Sequence, residues 1–542
     1  MTVAQSPPPS SCRTTDSEIP PSSGRKRRRT YRPAKPLPYE LQQHCTVYLE
    51  EKLYSQALDL LSSLVTADNG TNSDSFLPAY VPAANILSLA GTLVVHPSMT
   101  TKAGSDDEKQ ASDNALTFLR EINAIVGPSN ADFRTAFSFS SHSSARRERK
   151  HRDSSLSDDE DDKLKLALAN KGALWAISED FWAVVGWAFN CSVKHPNRWV
   201  RWKLWLDLML DVIVDEFEEK RTQAAVSQAE GGEKATGTLV SQSLLAQYLH
   251  PAVDGRTGKR RIMRAIFADG SKKSLAEFSE VWKDETKESA KKDDQPTKRR
   301  KLNFDEDDFG DYFDDDDGEP DDDDVLLGAS DDSEAEEQGD LEEQTSANLI
   351  EKYGGVESIK LRQRFLALLV PFCTAYPAGF MDTEDLFDLY TEFVRPLPLM
   401  VFQQFAYPPT PYLDTNSQAT LNQTLLRPII SHEAPKFNSG SMMQAELEKH
   451  FLPFAANQSS VEENAKVSVL VESLFVMLWR HGGLEATASL HKMVKQGIDA
   501  RKKKASFDGR KKTGRKKEQD YMKLMLDVSA GNIAELLGVI QG

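Results

Sequence analysis

The sequence has little cysteine, and its few cysteines are not arranged for a disulfide framework or a zinc site. None of them forms a CxxC pair or a Cys/His cluster at zinc-ligand spacing. Four cysteines in 542 residues favour a reducing compartment. They are Cys12, Cys45, Cys191 and Cys373.

Long apolar runs are also missing. No run approaches the roughly 18 residues that a membrane span needs. The first twelve residues are rich in Ser and Pro and have no apolar core of a secretion signal. We therefore expect neither membrane insertion nor secretion.

The common enzyme signatures are absent. The chain contains no GxGxxG, HExxH or GxSxG motif, and the Gly255–Lys259 stretch lacks the spacing and the Ser/Thr of a phosphate loop. The ten histidines are scattered along the chain. We expect a non-enzymatic protein without a cofactor or metal, and an unrecognised helical enzyme is the least favoured alternative.

Strand signals are scarce, whereas helix signals are frequent. Ser460 and Glu463 have capping-box spacing before an apolar run, and Gly482 supplies a stop. A second helix is predicted from Asp382 or Thr383 to just before Pro396. The predicted fold class is all-α, with bundle- or solenoid-like helical units joined by long charged disordered segments.

Composition divides the chain into alternating helical and charged parts. In order, the predicted parts are a disordered basic arm at 1–36, a helical unit at 37–126, a charged linker at 127–165, a Trp-rich helical unit at 166–283, a disordered basic-then-acidic segment at 284–345, a helical unit at 346–500, a basic linker at 501–518 and a terminal helix at 519–542.

Seven of the eight tryptophans lie in the second helical unit. Trp199, Trp202 and Trp205 belong to a helix, predicted to start with Asn197 as its N-cap, that is apolar on nearly every side. Large buried rings should dominate the stability of this unit. The alternative is a partly exposed aromatic platform for bases or a peptide.

One edge of the same helix carries Asp207, Asp211 and Asp215 at four-residue spacing. Like charges at this spacing destabilise a helix, so a cation should compensate them. Lys203 and Lys220 on a solvated face are one candidate source, and docking of the basic tail at 501–517 is the other.

Residues 305–343 contain 22 acidic residues and no Lys or Arg. Without these 22 charges, the formal net charge of −17 becomes +5 for the rest of the chain. The aromatic residues Phe309, Tyr312 and Phe313 lie inside this acidic run. The combination resembles the acidic-aromatic segments of histone chaperones and of acidic activation domains, so histones are a candidate partner. The alternative is an inert linker, or one that masks the basic tracts.

Three serines next to acidic residues are candidate phosphorylation sites, because acidophilic kinases favour such surroundings. Phosphorylation would strengthen the polyanion, since each phosphate adds roughly −1.5 to −2 charge. The three are Ser157, Ser330 and Ser333.

Short basic runs predict a nuclear address. The import candidates are Arg25, Lys26, Arg27, Arg28 and Arg29 in one run, and Lys298, Arg299, Arg300 and Lys301 in the other.

The tail at 501–517 has ten Lys or Arg against one Asp, a density that suits non-specific phosphate binding. A nuclear or nucleolar retention signal is the alternative. Its partner-binding candidates are Lys502, Lys503, Lys504, Arg510, Lys511 and Lys512.

These features favour a nuclear helical scaffold that bridges protein partners in a chromatin, transcription or ribosome-assembly complex. The alternative is a protein that binds histones or nucleic acid through its charged segments, with the helical units only positioning them.

Overall fold

The structure, a computed structural model, describes residues 31–67, 77–139, 164–229, 236–252, 255–287, 346–440, 442–507 and 516–541. The described part of the chain is 69% helical and contains two short strands, which confirms the all-α prediction. None of the described helices is both long enough and apolar enough to cross a membrane.

The N-terminal part is a helical layer with a small parallel strand pair, in which Ala34 lies opposite Ala79. Helix α4 starts with a capping box formed by Ser105 and Glu108 and packs along α2. The elements are β1 (Ala34–Pro36), α1 (Tyr39–Glu50), α2 (Tyr54–Thr66), β2 (Ala79–Val81), α3 (Ala84–Leu93), α4 (Asp106–Ile125) and α5 (Phe133–Ala136), with a 3-10 turn at Pro97–Met99.

The middle part is organised around one long helix, α8, which contacts α4, α7, α9, α10 and α14. The elements are α6 (Leu174–Ile177), α7 (Phe181–Lys194), α8 (Pro196–Ala229), α9 (Thr236–Val240), α10 (Leu244–Leu249), α11 (Arg256–Ile266) and α12 (Lys272–Glu277), with 3-10 turns at Asn170–Gly172 and His250–Ala252.

The tryptophans of α8 are core residues. Trp202 and Trp205 are fully buried and Trp199 nearly so, which confirms the core interpretation and rejects the aromatic platform. The predicted N-cap at Asn197 is wrong, since α8 already begins at Pro196. Proline suits the first helical position because its missing N–H would have no partner there.

Two of the three aspartates on α8, Asp207 and Asp211, are paired with arginines of neighbouring helices. Arg364 of α14 bonds Asp207 and Asp211 at 2.5 and 2.7 Å, and Arg120 of α4 pairs with Asp207 at 3.2 Å. These ion pairs come neither from the lysines of α8 nor from the described part of the tail at 501–517, so both expected sources are wrong for Asp207 and Asp211. The pairs tie α8 to two other helices.

The C-terminal part surrounds a second buried helix, α19, which contacts α16, α17, α20 and α21. The elements are α13 (Ser346–Glu351), α14 (Gly355–Ala375), α15 (Thr383–Val394), α16 (Leu399–Ala406), α17 (Thr415–Leu426), α18 (Gln444–Glu446), α19 (Val461–Arg480), α20 (Ala488–Ala505) and α21 (Lys516–Gln541), with a 3-10 turn at Pro377–Gly379 and a π-helical turn at Leu447–Phe451.

Two of these helices have the bounds that their sequence signals predict. The Ser460 side chain accepts a hydrogen bond from the Glu463 N–H at the start of α19, and Gly482 takes a positive φ of 66° just after its end. Helix α15 runs from Thr383 to Val394 after Asp382, as predicted. Capping and stop residues thus set local helix bounds independently of the tertiary contacts.

The buried apolar residues of all three parts form one continuous cluster that reaches from Leu37 to Leu537. This folded body also contains residues that composition assigns to charged segments. Arg32, Phe137, Glu285 and Arg501 are buried because neighbouring helices supply partners or apolar surroundings that local composition does not reveal.

Candidate basic interaction surface

Most of the sequence-predicted site residues lie outside the described residues. These are the import candidates Arg25–Arg29 and Lys298–Lys301, the partner-binding candidates Phe309, Tyr312, Phe313, Arg510, Lys511 and Lys512, and the serines Ser157, Ser330 and Ser333. The structure does describe Lys502, Lys503 and Lys504, which lie in the last turn of α20. Helix α20 therefore extends to Ala505, beyond the predicted unit boundary at 500.

Helix α20 is fixed against the chain that follows the π-helical turn. Thr487 caps its N-terminus, and Leu490 and Val494 are buried on its inner face. At Gly497 the helix passes so close to this chain that a Cβ atom would lie 1.7 Å from the Leu452 carbonyl oxygen. Only glycine fits there, so the contact sets the position of the last two turns.

Arg501 anchors the same helix from its inner face. Its Nη1 donates to the carbonyl oxygens of Leu452 and Phe454, both at 3.1 Å. Nε and Nη2 are buried without a hydrogen-bond partner. Burial lowers the pKa of Arg501 to about 10, so the side chain stays charged at neutral pH. Arg501 therefore belongs to the core, although the sequence places it in the basic tail.

The outer face of α20 carries exposed positive charge. Lys492, Lys495, Lys502 and Lys503 are exposed, and their spacing places them with Asp499 on one side of the helix. Lys502 pairs with Asp527 of α21 at 2.8 Å, and both side chains are about half exposed. The other three lysines make no ion pair with any described residue.

An exposed aromatic ring lies at the end of this face. Phe507 is 67% exposed and lies in the turn after α20, three residues beyond Lys504. The name basic face is used below for Lys492, Lys495, Lys502, Lys503 and Phe507. Such a surface suits a polyanion that carries apolar groups, because the lysines supply charge and the ring supplies contact area.

A contrasting charged cluster lies at the centre of the molecule around Glu285. This buried carboxylate accepts hydrogen bonds from Arg198 Nε at 2.7 Å and from the indole N–H groups of Trp202 and Trp187 at 2.8 and 3.1 Å. Sequence reasoning missed it, because Glu285 fell in the predicted disordered segment. The predicted unit included Trp282 but ended at residue 283, two residues before Glu285.

A groove of about 410 Å³ opens between α17 and α19. Its apolar wall includes Leu474 and Met477, and its polar rim includes Thr415 and His481. The two rim residues bond each other at 3.3 Å, and His481 Nδ1 also contacts the Met477 carbonyl oxygen at 2.8 Å. The groove thus offers apolar contact area, and the hydrogen-bonding groups of its rim already have partners.

Within the described ranges, no group of three or more His, Cys, Asp or Glu side chains is placed to hold a metal ion. Cys45, Cys191 and Cys373 are free, buried thiols, and burial raises the pKa of Cys373 to about 12. A buried thiol with a raised pKa is a poor nucleophile, so these cysteines act as small core side chains.

Comparison with known proteins gives no relative: no family model, no curated protein and no solved structure matches this chain. Its function must therefore be argued from its own residues.

Proposed function

We propose that this protein is a non-enzymatic nuclear scaffold, in which a continuous helical body bridges protein partners of a chromatin, transcription or ribosome-assembly complex. The observation that carries the proposal is the single core, on which the described residues next to each long charged segment are held. A body of this kind holds several partner-binding surfaces at defined separations.

The residues around the acidic run illustrate this attachment. Glu285 is fixed in the central cluster just before residues 288–345, and helix α13, which packs against α14 and α16, follows them. The linker at 140–163 has similar neighbours. The Phe139 ring packs edge-to-face against Trp175 just before this linker, and Leu164 just after it is buried. Both charged segments thus begin and end on the folded body, as a scaffold requires.

A second candidate function is binding of histones or nucleic acid through the charged segments themselves. The basic face favours it, because unpaired exposed lysines on a fixed helix suit phosphate groups. In that case the helical body would serve only as a support.

Affinity purification of the tagged chain separates the two functions. We expect its partner set to persist in about 0.3 M salt when Gly/Ser chains of equal length replace residues 140–163 and 288–345. Loss of every partner in that variant would overturn the scaffold and favour the second function. The nuclear assignment is tested on the same tagged chain. Alanine at Arg25–Arg29 and Lys298–Lys301 should move it to the cytoplasm. Alanine at the basic residues of 146–152, a run in the 127–165 linker that starts with Arg146 and Arg147, should not.

A further inference from the structure

The basic face has no partner among the described residues that would neutralise it. Four exposed lysines share the surface with Asp499, and one ion pair, Lys502 with Asp527, offsets part of the remaining charge. Exposed ion pairs of this kind contribute little. Most of the positive charge therefore remains available to an incoming anion.

Positive charge also lacks a counter-charge in the interior behind this face. Four arginines are buried in the described part of the chain: Arg32, Arg198, Arg362 and Arg501. Arg198 has the Glu285 carboxylate, Arg32 donates to three carbonyl oxygens, and Arg362 bonds two carbonyls and Ser358. Arg501 alone of the four keeps two donor nitrogens without a partner. Positive charge is thus in excess on both sides of the last turns of α20.

The chain itself contains a counterpart to this surface. Residues 305–343 hold 22 carboxylates and no cation, with Phe309, Tyr312 and Phe313 among them. The basic face presents lysines next to the exposed Phe507 ring. The acidic run and the basic face are opposite in charge, and both carry aromatic rings. A purely electrostatic contact would not require the rings.

The acidic run is also long enough to reach the basic face. Helix α13, which follows it, packs on α16, α16 packs on α19, and α19 packs on α20. Helices in contact lie 8–10 Å apart and the 20-residue α19 is about 30 Å long, so α13 lies within roughly 60 Å of α20. The 28 residues at 318–345 span up to about 90 Å when extended. A tether of this reach gives an effective concentration on the order of millimolar, so a weak contact suffices.

We propose that residues 305–343 dock on the basic face of the same chain, with their carboxylates on Lys492, Lys495, Lys502 and Lys503 and their aromatic rings near Phe507. The contact is intramolecular and electrostatic, so it weakens steeply with salt. It leaves the face unavailable to an external polyanion until a basic partner captures the acidic run. This goes beyond the proposed scaffold function, because it describes a contact of the chain with itself.

The test uses the full chain and a variant in which a Gly/Ser sequence of equal length replaces residues 305–343. The probe is a fluorescent synthetic peptide of residues 303–324, titrated at about 0.15 M salt and followed by anisotropy. We expect the peptide to bind the replaced chain at least about tenfold more tightly than the wild-type chain, where the tethered run already occupies the face. Equal affinity for the two chains would overturn the proposal.

A matched pair of variants locates the contact on the replaced chain. Gln at Lys492, Lys495, Lys502 and Lys503 should abolish peptide binding. The control changes four exposed lysines elsewhere to Gln, namely Lys52, Lys171, Lys272 and Lys360. Equal loss in both variants would make the contact general electrostatics and sink the proposal. Binding of a single-stranded oligonucleotide with the same affinity to the wild-type and replaced chains would also contradict it, since the face would then be open in both.

Discussion

Charged side chains have oppositely charged partners around α8, whereas many of those around α20 do not. Around α8, the cation Arg198 meets Glu285, and the acids Asp207 and Asp211 meet Arg364. Around α20, Arg501 is buried without any carboxylate. Charge is matched in these pairs around α8 and left in excess around α20.

The difference separates charge that holds the fold from charge that remains available for binding. A matched buried pair is costly to break, because removing one partner leaves an uncompensated ion in a low-dielectric interior. Exposed unpaired lysines contribute almost nothing to stability. The structure therefore assigns a structural role to the ions around α8 and an interaction role to those on α20.

Removing the carboxylate of the central pair gives the largest expected effect on stability. Glu285→Gln leaves Arg198 buried without a counter-charge and should cost about 3–5 kcal/mol of the free energy of unfolding. The matched change in the other region, Arg501→Met, removes an unpaired cation and frees two carbonyl oxygens, and it should cost only about 1–2 kcal/mol. Denaturant unfolding at pH 7 measures both. Equal losses would erase the distinction between the two regions.

A second buried acid of α8 makes the stability of the first region depend on pH. Glu216 accepts a hydrogen bond from the Leu244 N–H, and burial raises its pKa to about 7. Because the folded-state pKa is raised, its favourable contribution is complete below the unfolded value near 4.5 and is lost as pH rises through about 7.

Glu216→Gln should therefore match the wild type at pH 4.5 and be more stable by about 2–3 kcal/mol at pH 8. Thermal unfolding at the two pH values measures the difference. The exposed neighbour Glu218→Gln is the control and should show no such dependence. A wild-type stability that rises between pH 5 and 8 with no change in the variant would contradict the assignment.

The helices were predictable from the sequence where local signals suffice. The apolar run of α8, the cap at Ser460 and the stop at Gly482 all depend on residues close together in the chain. The ion-pair partners were not predictable from the sequence, because Arg364 lies more than 150 positions from Asp207 and Asp211. Local composition likewise misassigned Glu285 and Arg501. Their charge is typical of a solvated segment, and only tertiary contacts reveal that they are buried.

The most direct test of the central claim measures stability and binding in the same two variants. In the first, Lys492, Lys495, Lys502 and Lys503 become Gln, and in the second, Arg364 becomes Gln. Both carry residues 305–343 replaced by Gly/Ser, so that the basic face is open to the peptide of residues 303–324. The first variant should lose peptide binding while its free energy of unfolding changes by no more than about 0.5 kcal/mol. The second should keep peptide binding and lose about 1 kcal/mol of stability. Unchanged binding in the first variant, or a stability loss there as large as in the second, would contradict the separation of structural and binding charge.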